Sequence, residues 1–381
     1  MTIFAVLLAF LAGLLIGGLA LSAAGRGSRS AAAEGGPYDR ILRTALARLA
    51  SGDHRGAVAA LRRATAMRPR DDAVYLLLAE ELRRLGDRSR AERGAQVILA
   101  ARDLDPDVES AAWLLRGRLA EERGETDAAL EAYARAESSR PDAAPAIVAR
   151  GRLLSRLRRW REAIEAAGRL AAVEPERARL IAARRRVLLA RELLAEGRPD
   201  AALVEAKAAL NDAPDLTAAR ITVGDALFQI GKVQQACAAW LEAARAAPSR
   251  AALILDRLEQ ASSGAPAGAA RRLAEELAGT GADWRPLAWL VHDSLLAGRA
   301  DEAARWFERL QQVAPAAATT SRLAVRLAAA RNGSAGALES LLSRWERERV
   351  WTDPWRCSRC GRETGEFEWR CPDCQAWDSF H

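Results

Sequence analysis

The feature that most constrains this chain's fold is a period. Prolines recur after apolar, helix-forming runs at Pro69, Pro106, Pro141, Pro175, Pro214, Pro248 and Pro315, and both Pro141 to Pro175 and Pro214 to Pro248 span 34 residues. Self-similarity at that spacing marks one supersecondary unit copied along the chain. A single copy cannot bury its own apolar face, so copies must stack on their neighbours. The units are helical: Ala, Leu, Arg and Glu dominate, the residues that lose least on entering a helix, and aromatics make up only 5%.

The clearest copies are Ser110 to Ala143, Ala144 to Arg177, Ala183 to Leu216, Thr217 to Arg250 and Trp284 to Ala317. Aligned, they resemble the tetratricopeptide repeat, a helix pair with small residues where the helices cross. The eighth position holds Gly117, Gly151, Ala190 and Gly224; the twentieth holds Ala129, Ala163, Ala202, Ala236 and Ala303. A larger side chain at either place would hold the helices apart. Turns read Gly124-Glu125, Gly197-Arg198, Gly231-Lys232 and Gly298-Arg299, with glycine where a helix ends in a left-handed residue. Residues 38–69 and 72–106 fit as well, with Ala45, Ala57, Ala79 and Ala91 at the crossings. Residues 251–283 and 319–349 are degenerate. The expectation is an all-α tetratricopeptide-repeat superhelix over residues 38–349, with seven clear copies and two poor ones.

A stacked array presents an extended concave surface, so the function class it implies is protein binding. If the first helix of each repeat lines that surface, as in the repeat family, Arg152, Arg156, Arg184 and Arg191 face a partner, and an acidic segment would suit them. The competing reading is that arginine is frequent everywhere in this chain. The net charge of +7 and pI near 9.7 would fit nucleic acid, but acidic residues are interspersed throughout. Mixed solvated helix faces account for the charge, and no nucleic-acid partner is expected.

Ahead of the array, Thr2 to Gly25 carries no charge and is long enough to cross a ~30 Å hydrocarbon layer. A transmembrane helix over residues 1–25 is the reading; a signal peptide would have a basic residue before its apolar core, and Met1-Thr2-Ile3 has none. Arg26 and Arg29 follow the span, which keeps the C-terminal side in the cytoplasm. The expected location is therefore the inner membrane, single-pass, with the soluble part cytoplasmic. Gly13 and Gly17 form a GxxxG through which two copies could pair as a homodimer. Residues 26–37 read as a flexible linker.

Catalysis finds little support. The only histidines are His54, in an inter-helix turn, His292, in a repeat helix, and His381, the last residue; there is no phosphate loop, GxSxG or HExxH. Carboxylates sit beside arginines on helix faces, where surface pairing is the default. Cys237, between Ala236 and Ala238, reads as a small core residue.

The last segment, residues 350–381, differs in kind. Cys357-x2-Cys360 and Cys371-x2-Cys374 can each turn two sulfurs toward one point and together close a tetrahedral S4 site for zinc or iron. Disulfides compete, but a cytoplasmic location disfavours them. Four thiolates on a divalent ion leave a formal −2, and Arg356, Arg359, Arg362 and Arg370 stand beside them in sequence. Trp355, Phe367, Trp369, Trp377 and Phe380 supply apolar cover. So short a segment needs the metal to fold, and docking where the array stops would suit it.

In this order, a membrane helix, a tetratricopeptide array and a two-knuckle cysteine module resemble the lipopolysaccharide assembly protein B (LapB/YciM) family, whose rubredoxin-like ending is matched by RCSRCG and by WRCPDCQAW, Trp369 to Trp377. The resemblance implies Cys357, Cys360, Cys371 and Cys374 as metal ligands. Gln375 departs from the glycine that often follows the last cysteine in such knuckles. It also implies a non-enzymatic adaptor that promotes degradation of the deacetylase LpxC by the membrane protease FtsH and answers to a membrane lipopolysaccharide sensor. A generic repeat scaffold for another membrane complex and an electron-transfer protein using an S4 iron centre are the alternatives.

Overall fold

A computed structural model describes residues 36–261, 268–280, 283–332, 342 and 353–381. The expected membrane helix over residues 1–25 and nearly all of the linker lie outside these. Among the described residues, no helix is long and apolar enough to cross a membrane. They fall into two compact units that divide after Pro141.

The first unit holds three helix pairs: α1 (Pro37–Ala50) with α2 (His54–Met67), α3 (Asp72–Arg84) with α4 (Arg88–Leu99), and α5 (Pro106–Arg123) with α6 (Thr126–Ser139). Aspartates start several of these helices. Asp53, Asp71, Asp87 and Asp105 each accept a hydrogen bond from a first-turn amide, satisfying donors that a helix start leaves orphaned. The core is largely alanine at helix crossings, with Ala45, Ala57, Ala79 and Ala91 essentially inaccessible.

The second unit continues the pattern. Its pairs are α7 (Ala144–Arg156) with α8 (Trp160–Leu170), α9 (Pro175–Ala195) with α10 (Pro199–Asp212), α11 (Thr217–Gln229) with α12 (Val233–Ala246), α13 (Ala252–Gln260) with α14 (Ala269–Thr280), and α15 (Arg285–Leu296) with α16 (Ala300–Val313). Then comes α17 (Ala318–Asn332). The degenerate stretch 251–283 forms a shortened pair, α13 having only nine residues. Much of the stretch 319–349 lies outside the described residues.

Small residues at the crossings have identifiable partners. A Cβ at Gly117 would stand 2.3 Å from the Tyr133 ring, and one at Gly224 would stand 2.3 Å from the Trp240 ring. Both aromatics are fully buried. Their polar tips reach outward to carboxylates, Tyr133 Oη to Glu121 at 2.7 Å and Trp240 Nε1 to Asp225 at 3.0 Å. Gly151 differs: its space is taken by the guanidinium of Arg185, from α9, whose Nη2 would lie 2.5 Å from a Cβ there.

Two sequence expectations shift. Pro106 and Pro175 do not close the preceding repeat but open α5 and α9, at the first helical position where the missing N–H costs nothing. Those helices consequently run to 18 and 21 residues. The turn between α7 and α8 contains no glycine, and Arg158 takes the left-handed φ of 58° there.

Candidate metal centre

The terminal module is built from two like turns. In the first, the Cys357 amide donates to Arg362 O (2.8 Å) and the Gly361 amide donates to Cys357 O (2.9 Å). In the second, the Cys371 amide donates to Ala376 O (2.8 Å) and the Gln375 amide donates to Cys371 O (2.9 Å). The residue after each second cysteine must turn left-handed. Gly361 does so at φ 77° and Gln375 at φ 60°, so Gln375 takes the backbone conformation that a knuckle glycine provides. Its side-chain amide donates to Pro372 O within the same turn.

A short antiparallel pair, β1 (Trp355–Arg356) with β2 (Glu363–Thr364), flanks the first turn. The chain end returns to its other side: the Arg356 amide donates to His381 O at 3.1 Å and the Ser358 amide to Ser379 O at 2.7 Å. A bridge between Arg370 and Trp377 frames the second turn.

These turns bring the four sulfurs together. One ligand atom from each of Cys357, Cys360, Cys371 and Cys374 lies within 4.8 Å of the others, and Cys357–Cys374 and Cys360–Cys371 Sγ pairs stand 3.6 Å apart. Bonds of ~2.3 Å in a tetrahedral thiolate site require edges of about 3.8 Å, so the donors fit one ion. All four are free of disulfides. Cys357 and Cys371 are buried while Cys360 is exposed.

The environment already favours thiolate at one corner. The hydrogen bond with Ser379, at 3.3 Å from Cys357 Sγ, outweighs burial and, with backbone amides, draws the Cys357 thiol down to about 6. Against a backbone hydrogen bond at Arg362, burial and the neighbouring sulfurs push Cys360 up to about 12. Four crowded sulfurs cannot all ionise without a cation among them, which is the condition a bound metal relieves.

Of the four arginines expected to offset that charge, Arg362 faces the sulfurs of Cys371 and Cys360 and also pairs with Asp373 at 2.5 Å. Arg356 pairs with Glu363, Arg359 is exposed, and Arg370 turns toward the repeats.

The module is not confined to the end of the described repeats: it packs along the second unit from α9 to α17, because the aromatic cover expected around the metal also joins the core of the repeats. Trp369 is 4% exposed within the main cluster of that unit, with Phe367 and Trp377 packed beside it. Arg250, just after α12, donates to Phe380 O (2.7 Å) and Asp378 O (3.0 Å) and lies over the Phe367 ring. Arg285 of α15 stacks on Trp355 at 3.7 Å, and Arg184 of α9 lies 5.3 Å from the Trp377 ring. Asp353 accepts from the Ala318 and Thr319 amides, capping α17.

Among the candidate partner-binding residues, Arg152, Arg156 and Arg191 are exposed on α7 and α9, and Arg184 is half-buried under the module. Desolvation lowers the Arg184 pKa, opposed by Asp378. Arg250, Arg285 and Ser379 escaped the sequence reading. Nothing local distinguishes them, since Arg250 meets the module across about 130 positions.

The comparisons agree with this geometry. Residues 355–381 match the family model of the LapB zinc ribbon, described as a rubredoxin metal binding domain, and residues 48–114 match a tetratricopeptide-repeat model. The chain thus has the LapB-like combination of tetratricopeptide repeats and a terminal zinc ribbon. No curated protein matches it. Among solved structures, a tetratricopeptide repeat protein from Parabacteroides merdae is 17% identical, with 77% of this chain and 99% of that one covered and a TM-score of 0.37. The protein TTC0263 from Thermus thermophilus is 26% identical over 50% of this chain and 99% of its own, at a TM-score of 0.32. YrrB, described as a repeat protein with an unusual peptide-binding site, is 18% identical over 50% and 94%, at 0.37.

Proposed function

Because a metal-binding ribbon of the LapB type is seated on tetratricopeptide repeats, we propose that this chain is a non-enzymatic adaptor at the cytoplasmic face of the inner membrane, held there by residues 1–25. Its metal, zinc or iron, is bound by Cys357, Cys360, Cys371 and Cys374 and has a structural role: it closes the two turns and fixes the module on the repeats. The repeats present partners, and the module completes the presenting surface.

The partners this reading names are an LpxC-type deacetylase, an FtsH-type membrane protease and a membrane lipopolysaccharide sensor, with the adaptor promoting proteolysis of the deacetylase. Arg152, Arg156, Arg184 and Arg191 are its candidate contacts. The observation that carries the adaptor role is the seat of the module, since Trp369 belongs to the core of the second unit's repeats and joins the ribbon to them. Depleting the protein is expected to lengthen the deacetylase half-life, and Cys371→Ser or removal of residues 1–25 is expected to do the same. An unchanged half-life on depletion rejects the reading in favour of a scaffold for another complex.

A further inference from the structure

Residues 378–380 face two ways. Asp378 O and Phe380 O both accept from Arg250 of the repeats. Ser379 O, between them, accepts from the Ser358 amide of the first cysteine turn at 2.7 Å. One short stretch of backbone therefore grips the repeats with its outer carbonyls and the metal turn with its middle one. Phe380, fully buried, packs with Cys357 and Cys371 and keeps that stretch in place.

The side chain of Ser379 points the same way as its carbonyl. It is 6% exposed, and its Oγ stands 3.3 Å from Cys357 Sγ and 3.3 Å from Ala376 O. The carbonyl does not depend on it. Ala376 O already accepts from the Cys371 amide at 2.8 Å, and 3.3 Å is long for O–H···O, which prefers about 2.5–3.0 Å. A cysteine that serves as a metal ligand has lost its proton, so its sulfur can only accept. The one hydroxyl proton then belongs on Cys357 Sγ, where a charged acceptor makes the hydrogen bond roughly twice as strong as a neutral one. Among the described residues, Ser379 carries the one side-chain hydroxyl bonded to any of the four sulfurs.

We propose that Ser379 is a positioning residue of the metal centre. Its hydroxyl donates to the Cys357 thiolate in the loaded protein, and its neighbours Asp378 and Phe380 carry that constraint to Arg250, so metal occupancy and the seat on the repeats are coupled through one side chain. The role rests on the reading of the four cysteines as a metal site and deepens it.

The test uses the full-length protein loaded with Co(II), whose thiolate-to-cobalt charge-transfer band reports on the sulfurs. Ser379→Ala removes the donor to Cys357 and leaves Ala376 O satisfied, so the band should move to longer wavelength as the sulfur lone pairs rise in energy. Competition with a chromophoric chelator should show cobalt held about tenfold more weakly, the low end of the loss for a group that orients a metal ligand. Ser358→Ala deletes a hydroxyl from the exposed side of the same turn but keeps the amide that binds Ser379 O, and should change neither. Ser379→Thr, which retains the hydroxyl, should hold the band. Amide exchange in the peptide covering residues 368–381 reads the coupling: cobalt-loaded Ser379→Ala should lie between the loaded and the metal-free parent. An unmoved band in Ser379→Ala overturns the role, as do equal shifts in Ser379→Ala and Ser358→Ala. Exchange in loaded Ser379→Ala equal to that of the loaded parent overturns the coupling. A parent protein that takes up no cobalt rejects the metal reading itself and this role with it, whereas cobalt uptake with an unmoved band rejects the role alone.

Discussion

Replacing Arg250 by alanine should loosen the metal module from the repeats without touching a metal ligand. Its guanidinium makes two hydrogen bonds, to Phe380 O at 2.7 Å and Asp378 O at 3.0 Å, and lies 5.3 Å from the Phe367 ring. Hydrogen bonds from a charged donor contribute about 1.5–3 kcal/mol and an accessible cation–π contact about 0.5–1 kcal/mol. Arg250 is half-exposed, so the lower ends apply and the loss comes to about 3.5 kcal/mol. That raises the undocked fraction about 400-fold. The buried Trp369 remains as an anchor, so the module stays mostly docked. Amide exchange in the peptide covering residues 368–381 reads the change directly, because the Asp378 and Cys371 amides are held by Trp369 O and Ala376 O and should exchange faster by a similar factor. Arg250→Lys, which cannot span both carbonyls in the same fork, should fall in between. Unchanged exchange in Arg250→Ala, with metal content equal to the parent, would refute the view that this arginine holds the module in place.

Gly224→Ala should lower stability by roughly 1–3 kcal/mol, since its Cβ would meet the buried Trp240 ring at 2.3 Å; thermal unfolding measures it, and an unshifted Tm contradicts the packing account. Cys371→Ser should abolish stoichiometric metal binding, seen by elemental analysis, while far-UV dichroism keeps its helical amplitude, because the array's helices do not need the ion. A collapse of helicity would contradict this. Tyr38 is raised to about 12, first by burial and then by its hydrogen bond to Asp71. A raised acid pKa favours the folded protein below the ordinary value of 10, so this contribution should fade as pH rises from about 10 toward 12. Tyr38→Phe should lack that decline, and parallel alkaline unfolding profiles for the two proteins would count against it.

What could be read in advance was local in sequence. The repeat announces itself through small residues at fixed offsets and turns that need a left-handed residue, constraints that act within one helix pair. The cysteine ligands follow from spacing inside two short turns. Pro106 and Pro175 misled because proline opens a helix as readily as it follows one, and its meaning depends on the residues after it. Arg158 shows the limit of glycine as a marker, since the turn before Trp160 forms without one. Gln375 is the same lesson at the metal site: a hydrogen bond within its own turn accompanies a conformation that glycine would take freely. The seat of the module was not legible because it depends on pairings such as Arg250 with Phe380. One arginine among so many carries no local sign that it will meet a carbonyl near the chain end.

That seat changes what the metal does for the protein. Residues 353–381 bury few side chains of their own, chiefly Cys357, Trp369, Cys371, Ser379 and Phe380, which is too little for so short a segment to fold unaided. Two sources can make up the deficit: an ion held by the four sulfurs, and the repeats, which admit Trp369 to their core. Each therefore stabilises the docked module, and linkage makes the dependence reciprocal. Metal binding strengthens the seat on the repeats, and the seat raises the apparent affinity for metal. This is a sufficient physical reason to fold a metal module back onto the repeats of the second unit rather than leave it free.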